Sequence, residues 1–80
     1  MHEVGLARSI FAMVAERAGG RPVSCVRLSL GPLACVEPSA LAFSWQVLTE
    51  GTALDGAALQ FLDGEGDSLV VREFEFAETV

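Results

Sequence analysis

Metal-ligating and basic residues are scarce in this sequence of 80 residues. It holds one histidine, two cysteines and five basic residues against eleven acidic ones, which gives a net charge of −6. Without a basic patch, the chain cannot displace counterions from a phosphate backbone, and this argues against nucleic acid as a partner. The negative balance suits a cation or a basic protein surface better.

Long apolar runs are also missing, and with them a membrane-spanning segment. The N-terminus lacks the pattern of a signal peptide, so we expect a cytoplasmic protein with no membrane partner. Hydrophobic residues make up 51% of the chain and charged residues 20%, which favours a compact fold over disorder. The length predicts a single domain over residues 1–80 with a modest core.

The sequence contains no recognisable catalytic motif. Cys25 and Cys35 have a spacing that matches no zinc-binding or thioredoxin-type motif, and we expect both thiols to be reduced, buried and inert. No serine has a histidine partner that could activate it. The glycines at 64 and 66 precede neither a lysine nor a helix start, as a phosphate-binding loop would require. The protein is therefore predicted not to be an enzyme.

Helical periodicity marks two segments. Between Val4 and Ala18, apolar residues recur at helical spacing, and Gly19 with Gly20 supplies a C-terminal stop. The second segment has Pro38 in its first turn and ends at Gly51. Its predicted apolar stripe consists of Leu41, Ser44, Trp45 and Leu48, broadened by Phe43 and Val47.

Alternation of apolar and polar residues predicts three strands. The first includes residues 26–30, and the second runs through about 57–62. In the third strand, alternation predicts that Val70, Phe74 and Phe76 lie on one face and that Val71, Glu73 and Glu75 lie on the other. The two glutamates are expected to form a solvated surface.

These elements predict an α+β fold in the order αβαββ. Neither helix can bury its stripe alone, so we expect two helices packed on a small three-stranded sheet. The order of the strands within the sheet stays open at this point, because periodicity does not say which strands are neighbours.

Three stretches of the sequence occur in an order and spacing that are together specific. They are residues 1–7 with Ser9-Ile10, residues 26–33 with Val36-Glu37-Pro38, and residues 41–45 with residues 48–52. Together they resemble the HypA/HybF family of hydrogenase and urease nickel-insertion accessory proteins. The resemblance implies a nickel metallochaperone domain that serves the maturation of a hydrogenase or urease. It also implies two partners, a HypB-type GTPase and the large subunit of the nickel enzyme.

The chain departs from that family at the last two strands. Family members carry a zinc-binding insert with two Cys-x-x-Cys pairs at this point. Between about residues 62 and 68, this chain has only a short turn rich in glycine and acidic residues. The four thiolates of a closed tetrahedral zinc site are missing there, so we expect no structural zinc. Loss by evolution and removal by engineering would leave the same sequence.

The resemblance places the nickel site at Met1, His2 and Glu3. His2 offers an imidazole nitrogen beside the terminal amine and the backbone amides of residues 2 and 3. The first amides of a helix have no intrahelical acceptor, so a metal can replace their protons without unwinding the helix. Deprotonated amide and imidazole nitrogens favour nickel(II) or copper(II) in tetragonal geometry over zinc.

Geometry limits how many of these donors bind together. The terminal amine, the Glu3 amide and the imidazole each chelate through the His2 amide nitrogen, which has only two cis neighbours in a square plane. All four donors therefore cannot share one plane. The Glu3 carboxylate, water and a partner protein are the candidates for a further ligand.

A metal-free function is the alternative. A domain without the insert could keep only the family's partner-docking surface and act as an interaction or regulatory module. For the metallochaperone function, the first helix, next to the nickel-site residues, is the expected docking element.

Overall fold

The computed structural model describes residues 2–77 and contains two helices packed on one face of a three-stranded sheet. The predicted α+β class and the order αβαββ are confirmed. Neither helix in the described range has the length and apolarity needed to cross a membrane. The elements are α1 (Glu3–Ala18), β1 (Val23–Leu30), α2 (Pro38–Thr49), β2 (Ala58–Asp63) and β3 (Leu69–Phe76).

The central strand of the sheet is β1, and the strand order is β2-β1-β3. β1 pairs in parallel with β2 and antiparallel with β3. A parallel pair needs a crossover connection, and α2 supplies it between β1 and β2. The strand order that periodicity left open is thereby established.

The helix ends follow their predicted signals. Gly19 adopts a left-handed φ of 61° directly after the last turn of α1, and its N–H donates to the carbonyl of Ala15. Pro38 occupies the first turn of α2, where no amide hydrogen is needed. Both helices therefore begin and end close to where the sequence predicts.

Trp45 is the largest fully buried side chain and holds α2 in the core. Its ring packs edge-to-face on Phe11 of α1 with 6.4 Å between centroids, and its Nε1 donates to the carbonyl of Ala57 at 2.8 Å. The prediction that Trp45 packs in the core is confirmed.

Phe43 and Val47 do not join the buried stripe of α2. They are 68% and 53% exposed, whereas Leu41, Trp45 and Thr49 are buried. The predicted stripe was too broad. Among the described residues the helix packs mainly against α1 and β2, which leaves one of its sides facing solvent.

A β-bulge in β3 inverts the predicted alternation. The register against β1 shifts between Val71 and Glu73, so Arg72 is the extra residue. As a result, Val71 packs against the core on the same side as Phe74, while Val70 lies 40% exposed on the open face. The predicted faces of Val70 and Val71 were therefore wrong.

The open face of the sheet carries an ion-pair cluster. The guanidinium of Arg27 lies 2.5 Å from the carboxylate of Glu73 and 2.6 Å from that of Glu75, and its Nε donates to Gln60 at 2.9 Å. These bonds, with Glu75 first and Glu73 second, raise the pKa of Arg27 above its ordinary value. The two glutamates share a solvated face, as predicted, and Arg27 offsets their mutual repulsion.

The link between β2 and β3 passes over the end of β1, because β1 lies between them. The N–H of Gly31 donates to the carbonyl of Ser68 at 2.8 Å, and the N–H of Leu33 donates to that of Gly66 at 2.8 Å. Residues 64–68 are therefore bound through the backbone to the segment that follows β1.

Gly31 has no room for a side chain. A Cβ at this position would lie 2.3 Å from the carbonyl oxygen of Gly66 and 2.5 Å from that of Glu65, and both are backbone atoms. We therefore expect Gly31→Ala to lower the free energy of unfolding by about 2 kcal/mol or more. Urea unfolding followed by the fluorescence of Trp45 measures this change.

Gly5→Ala is the control for that substitution. In the first turn of α1, nothing lies within 4 Å of a Cβ built on Gly5, so alanine there should raise stability by up to about 1 kcal/mol. Unfolding of Gly31→Ala at the same urea concentration as the unsubstituted protein would contradict the close approach of the Glu65 and Gly66 carbonyls to Gly31.

Candidate functional site

His2 lies exposed at the N-cap of α1. Its backbone is extended, with φ −87° and ψ 127°, and its carbonyl accepts the first hydrogen bond of the helix from Leu6 at 3.1 Å. The imidazole does not cap the helix. Serine, threonine, aspartate or asparagine would bond the first amides of the helix through their side chains, and His2 does not. The imidazole and these amides are therefore neighbours at one helix end.

Glu3 joins the first turn of α1 to the start of α2. This side chain is half-buried, and its Oε2 accepts a hydrogen bond from the backbone N–H of Glu37 at 3.3 Å. The N-terminal ends of the two helices consequently lie side by side. A contact between residues so far apart in sequence has no signature in local periodicity.

Glu37 is the N-cap of α2 and was not among the predicted site residues. Its Oε1 accepts hydrogen bonds from the Ser39 hydroxyl, from the Ser39 N–H at 2.7 Å and from the Ala40 N–H at 3.2 Å. These bonds, the one from the Ser39 side chain first, hold the pKa of Glu37 below its ordinary value. The sequence did contain a signal for this cap, because an acidic residue directly before a proline at a helix start is a typical N-cap.

The electrostatics of this end of the molecule combine two helix dipoles with several carboxylates. The positive ends of α1 and α2 meet here, and the carboxylates of Glu3 and Glu37 offset them. The segment 31–37 also ties this end to the acidic link between β2 and β3, through the bond from Leu33 to Gly66. The carboxylates of Glu3 and Glu37 therefore belong to the same end of the molecule as His2.

Of the three predicted metal ligands, His2 at the N-cap and Glu3 in the first turn of α1 are adjacent, and Met1 lies outside the described residues. Within residues 2–77, no three histidine, cysteine, aspartate or glutamate side chains form a metal-binding group. The donors that the described part of the site provides are the imidazole of His2, the backbone amides beside it and the carboxylate of Glu3.

The two cysteines have different environments. Cys25 is buried, as predicted, whereas Cys35 is exposed. The prediction was wrong for Cys35 because this residue belongs to the connection between β1 and α2, where its φ of 56° is left-handed. Cys35 is thus an exposed soft donor two positions before Glu37 and has to be controlled for in metal-binding experiments.

The chain is similar to known proteins in both sequence and fold. The family model described as hydrogenase/urease nickel incorporation, metallochaperone, hypA, matches residues 1–69. The hydrogenase maturation factor HypA of Trichodesmium erythraeum is 42% identical over 62 residues, covering 78% of this chain and 54% of the relative. That of Polaromonas naphthalenivorans is 42% identical over 71 residues, covering 85% and 62%. The chain thus spans little more than half the length of these relatives.

Two solved structures share the fold. The solution structure of a HypA protein superposes with a TM-score of 0.77 at 13% identity and covers 95% of this chain and 96% of the solved chain. The solution structure of the Ni metallochaperone HypA from Helicobacter pylori gives a TM-score of 0.71 at 14% identity, covering 98% and 95%. At these identities the likeness concerns the fold alone.

Replacing Glu37 by glutamine is expected to lower the melting temperature at neutral pH, because the neutral amide is a weaker acceptor for the helix amides. The pKa of Glu37 is depressed in the folded state. Its carboxylate therefore stabilises the fold above the unfolded pKa of about 4.3, and this contribution is lost as the pH falls through the folded pKa. Melting curves from pH 7 down to pH 3 should show the difference shrinking below about pH 4.

Glu50→Gln, at the opposite end of α2, is the matched control. It removes the same charge near the negative end of the helix dipole and should not lower the melting temperature at pH 7. A Glu37→Gln deficit of the same size at pH 7 and pH 3 would contradict the capping role.

Proposed function

Because this chain belongs to the HypA family of hydrogenase and urease nickel-incorporation metallochaperones, we propose that it is a nickel metallochaperone domain that binds Ni(II) at its N-terminus. It holds the ion transiently and delivers it, in the cytoplasm, for maturation of a hydrogenase or urease. The family resemblance drawn from the sequence is confirmed by these comparisons. The observation that carries the proposal is the exposed imidazole of His2 beside helix amides that it leaves uncapped.

The proposed ligands are Met1, His2 and Glu3. Nickel(II) accepts imidazole and deprotonated amide nitrogens in tetragonal geometry, and these are the donors at the N-cap of α1. The positive end of the helix dipole disfavours a bare cation. Loss of amide protons on binding makes the bound site less positive, and the carboxylates of Glu3 and Glu37 act in the same direction.

Glu3 has two distinct roles in this proposal. Its backbone amide belongs to the chelate, while its carboxylate accepts the hydrogen bond from Glu37 and holds the first turn of α1 against α2. The other carboxylate oxygen, Oε1, is outside that contact and is the proposed further ligand. The metal site is in this way anchored to the rest of the fold, although its donors lie at the end of the chain.

Delivery requires a site that both binds and releases. A site with few protein ligands keeps coordination positions open for water or for a group from a partner. The partners proposed from the family resemblance are a HypB-type GTPase and the large subunit of the nickel enzyme. The first turn of α1 is exposed at Val4 and available for their approach.

We further propose that the whole chain forms one nickel-binding domain without structural zinc. The link between β2 and β3 consists of residues 64–68, and backbone hydrogen bonds to Gly31 and Leu33 hold it in place. A link fixed by its own backbone contacts needs no metal to order it.

A metal-free interaction module is the second candidate function. The exposed side of α2 favours it, because Phe43 and Val47 present apolar surface to solvent. The two functions differ in whether nickel binds at His2.

Nickel titration of the untagged protein distinguishes them. We expect stoichiometric Ni(II) binding by calorimetry, with a visible absorbance typical of nitrogen donors in tetragonal geometry, and we expect His2→Ala to abolish both. Cys35→Ser is the matched control, since it removes the exposed thiol and should leave the titration unchanged. Equal binding by His2→Ala and the unsubstituted protein would remove nickel from the proposed function.

Chelator sensitivity tests the zinc-free domain. Thermal melting with and without excess EDTA should give the same melting temperature, because a fold without structural metal loses nothing to a chelator. A fall of many degrees in EDTA, reversed by added zinc, would show that the fold depends on a metal.

A further inference from the structure

A groove, called here the α1–β3 groove, runs between α1 and the edge strand β3. It consists of two hollows, of about 300 Å³ and about 90 Å³, and Met13 and Val71 line both of them. The larger hollow has mostly apolar walls, whereas Arg17 and Arg72 line the smaller one. Met13, between the two hollows, is 44% exposed, so the groove is open to solvent at its middle.

The backbone of β3 has one free edge. In the order β2-β1-β3, one edge of β3 is paired with β1, and the other has no strand partner within residues 2–77. The N–H and C=O groups of a free edge can pair with an extended segment of another chain. In that mode of binding, main-chain hydrogen bonds supply the affinity, and hollows beside the strand receive alternate side chains. The α1–β3 groove supplies two such hollows.

The two walls of the groove have matching lengths. On α1 the groove extends from Leu6 to Arg17, which is about 16 Å at about 1.5 Å per residue. On β3 it extends from Leu69 to Phe74, which is about 17 Å at about 3.4 Å per residue. An extended segment of about six residues therefore fills the groove.

The charge of the groove indicates the charge of its occupant. Arg17 and Arg72 are two of only five basic residues in the chain, and neither forms an ion pair within residues 2–77. Glu73 is the one acidic residue that lines the groove, and it is bonded to Arg27. The other edge strand, β2, contains no basic residue. The α1–β3 groove therefore selects a segment that brings carboxylates to its two arginines.

The free edge of β3 is not open to every chain. Arg72 is the extra residue of the β-bulge, and bulges and charged side chains at a strand edge discourage indiscriminate pairing. A segment whose carboxylates offset Arg17 and Arg72 overcomes that barrier, whereas a neutral or basic one does not. A second copy of β3 fits poorly, because its two carboxylates, Glu73 and Glu75, are already paired with Arg27.

We propose that the α1–β3 groove binds an extended segment of a partner protein as an added strand beside β3. Apolar side chains of that segment occupy the larger hollow, and acidic side chains at one of its ends pair with Arg17 and Arg72. This end of the groove lies at the last turn of α1, whereas His2 lies at the N-cap. The inference goes beyond the proposed function and does not rest on nickel binding.

The test uses two fluorescein-labelled hexapeptides with blocked ends, valine-threonine-valine-threonine-glutamate-glutamate and the reversed sequence, which together cover both strand directions. We expect one of them to bind the untagged protein in fluorescence anisotropy. Arg17→Glu and Arg72→Glu should each weaken binding at least tenfold, and both side chains are exposed, so the variants should melt like the unsubstituted protein. Arg8→Glu is the matched control on the same helix and should bind normally, because Arg8 lines the hollow between α1 and α2 instead.

Changes to the peptide test its conformation and its charge. In an added strand only every second N–H faces β3, so methylation of one alternate set of peptide amides should abolish binding and methylation of the other set should not. A peptide with lysine in place of glutamate should bind only the variant that carries both Arg17→Glu and Arg72→Glu. His2→Ala should bind the acidic peptide like the unsubstituted protein, which separates this inference from the nickel site.

Four results would overturn the inference. They are failure of both acidic peptides to bind, an equal loss of binding in Arg8→Glu, equal binding of the lysine peptide by the unsubstituted protein, and equal effects of the two methylation patterns. A dimer in sedimentation that Arg72→Glu dissociates would also overturn it, because a second copy would then occupy the edge of β3.

Discussion

The indole of Trp45 connects the three parts of the fold on which the site depends. Its ring contacts Phe11 on α1, and its N–H is bonded to the carbonyl of Ala57 just before β2. A buried N–H without an acceptor would cost about 1–3 kcal/mol, so this bond fixes how α2 sits between α1 and the sheet. With α2 in that position, its N-terminus meets the first turn of α1, and the contact between Glu3 and Glu37 can form.

The proposed nickel site would be built from the backbone more than from side chains. His2 would supply one imidazole, and the other proposed nitrogen donors are the terminal amine and amides that any sequence would carry at a helix start. Two features are particular to this chain. The side chain of His2 makes no capping hydrogen bond to the helix amides, and the neighbouring carboxylate of Glu3 is hydrogen-bonded to the start of α2. On the proposal above, the site would be firmly positioned but would offer few ligands, which suits an ion that has to be released.

The elements were predictable from sequence because their signals are local. Helical spacing, the glycine after α1 and Pro38 at α2 act within a few residues. The strand order, the bulge at Arg72 and the exposure of Phe43 depend on how distant segments meet, and no periodicity contains that information. The candidate nickel ligands came from family resemblance, since one terminal histidine by itself indicates very little. The capping role of Glu37 had a local signal in the proline that follows it, whereas its contact with Glu3 joins residues that are remote in sequence.

The passage of residues 64–68 over Gly31 has a consequence for how this fold can vary. β2 ends and β3 begins on either side of the last residue of β1, so the two ends of the link stay close whatever lies between them. Closing a loop costs only about 0.6 kcal/mol for each doubling of its length. We therefore expect that the link between β2 and β3 can be replaced by segments of very different length without a change in the register of the sheet.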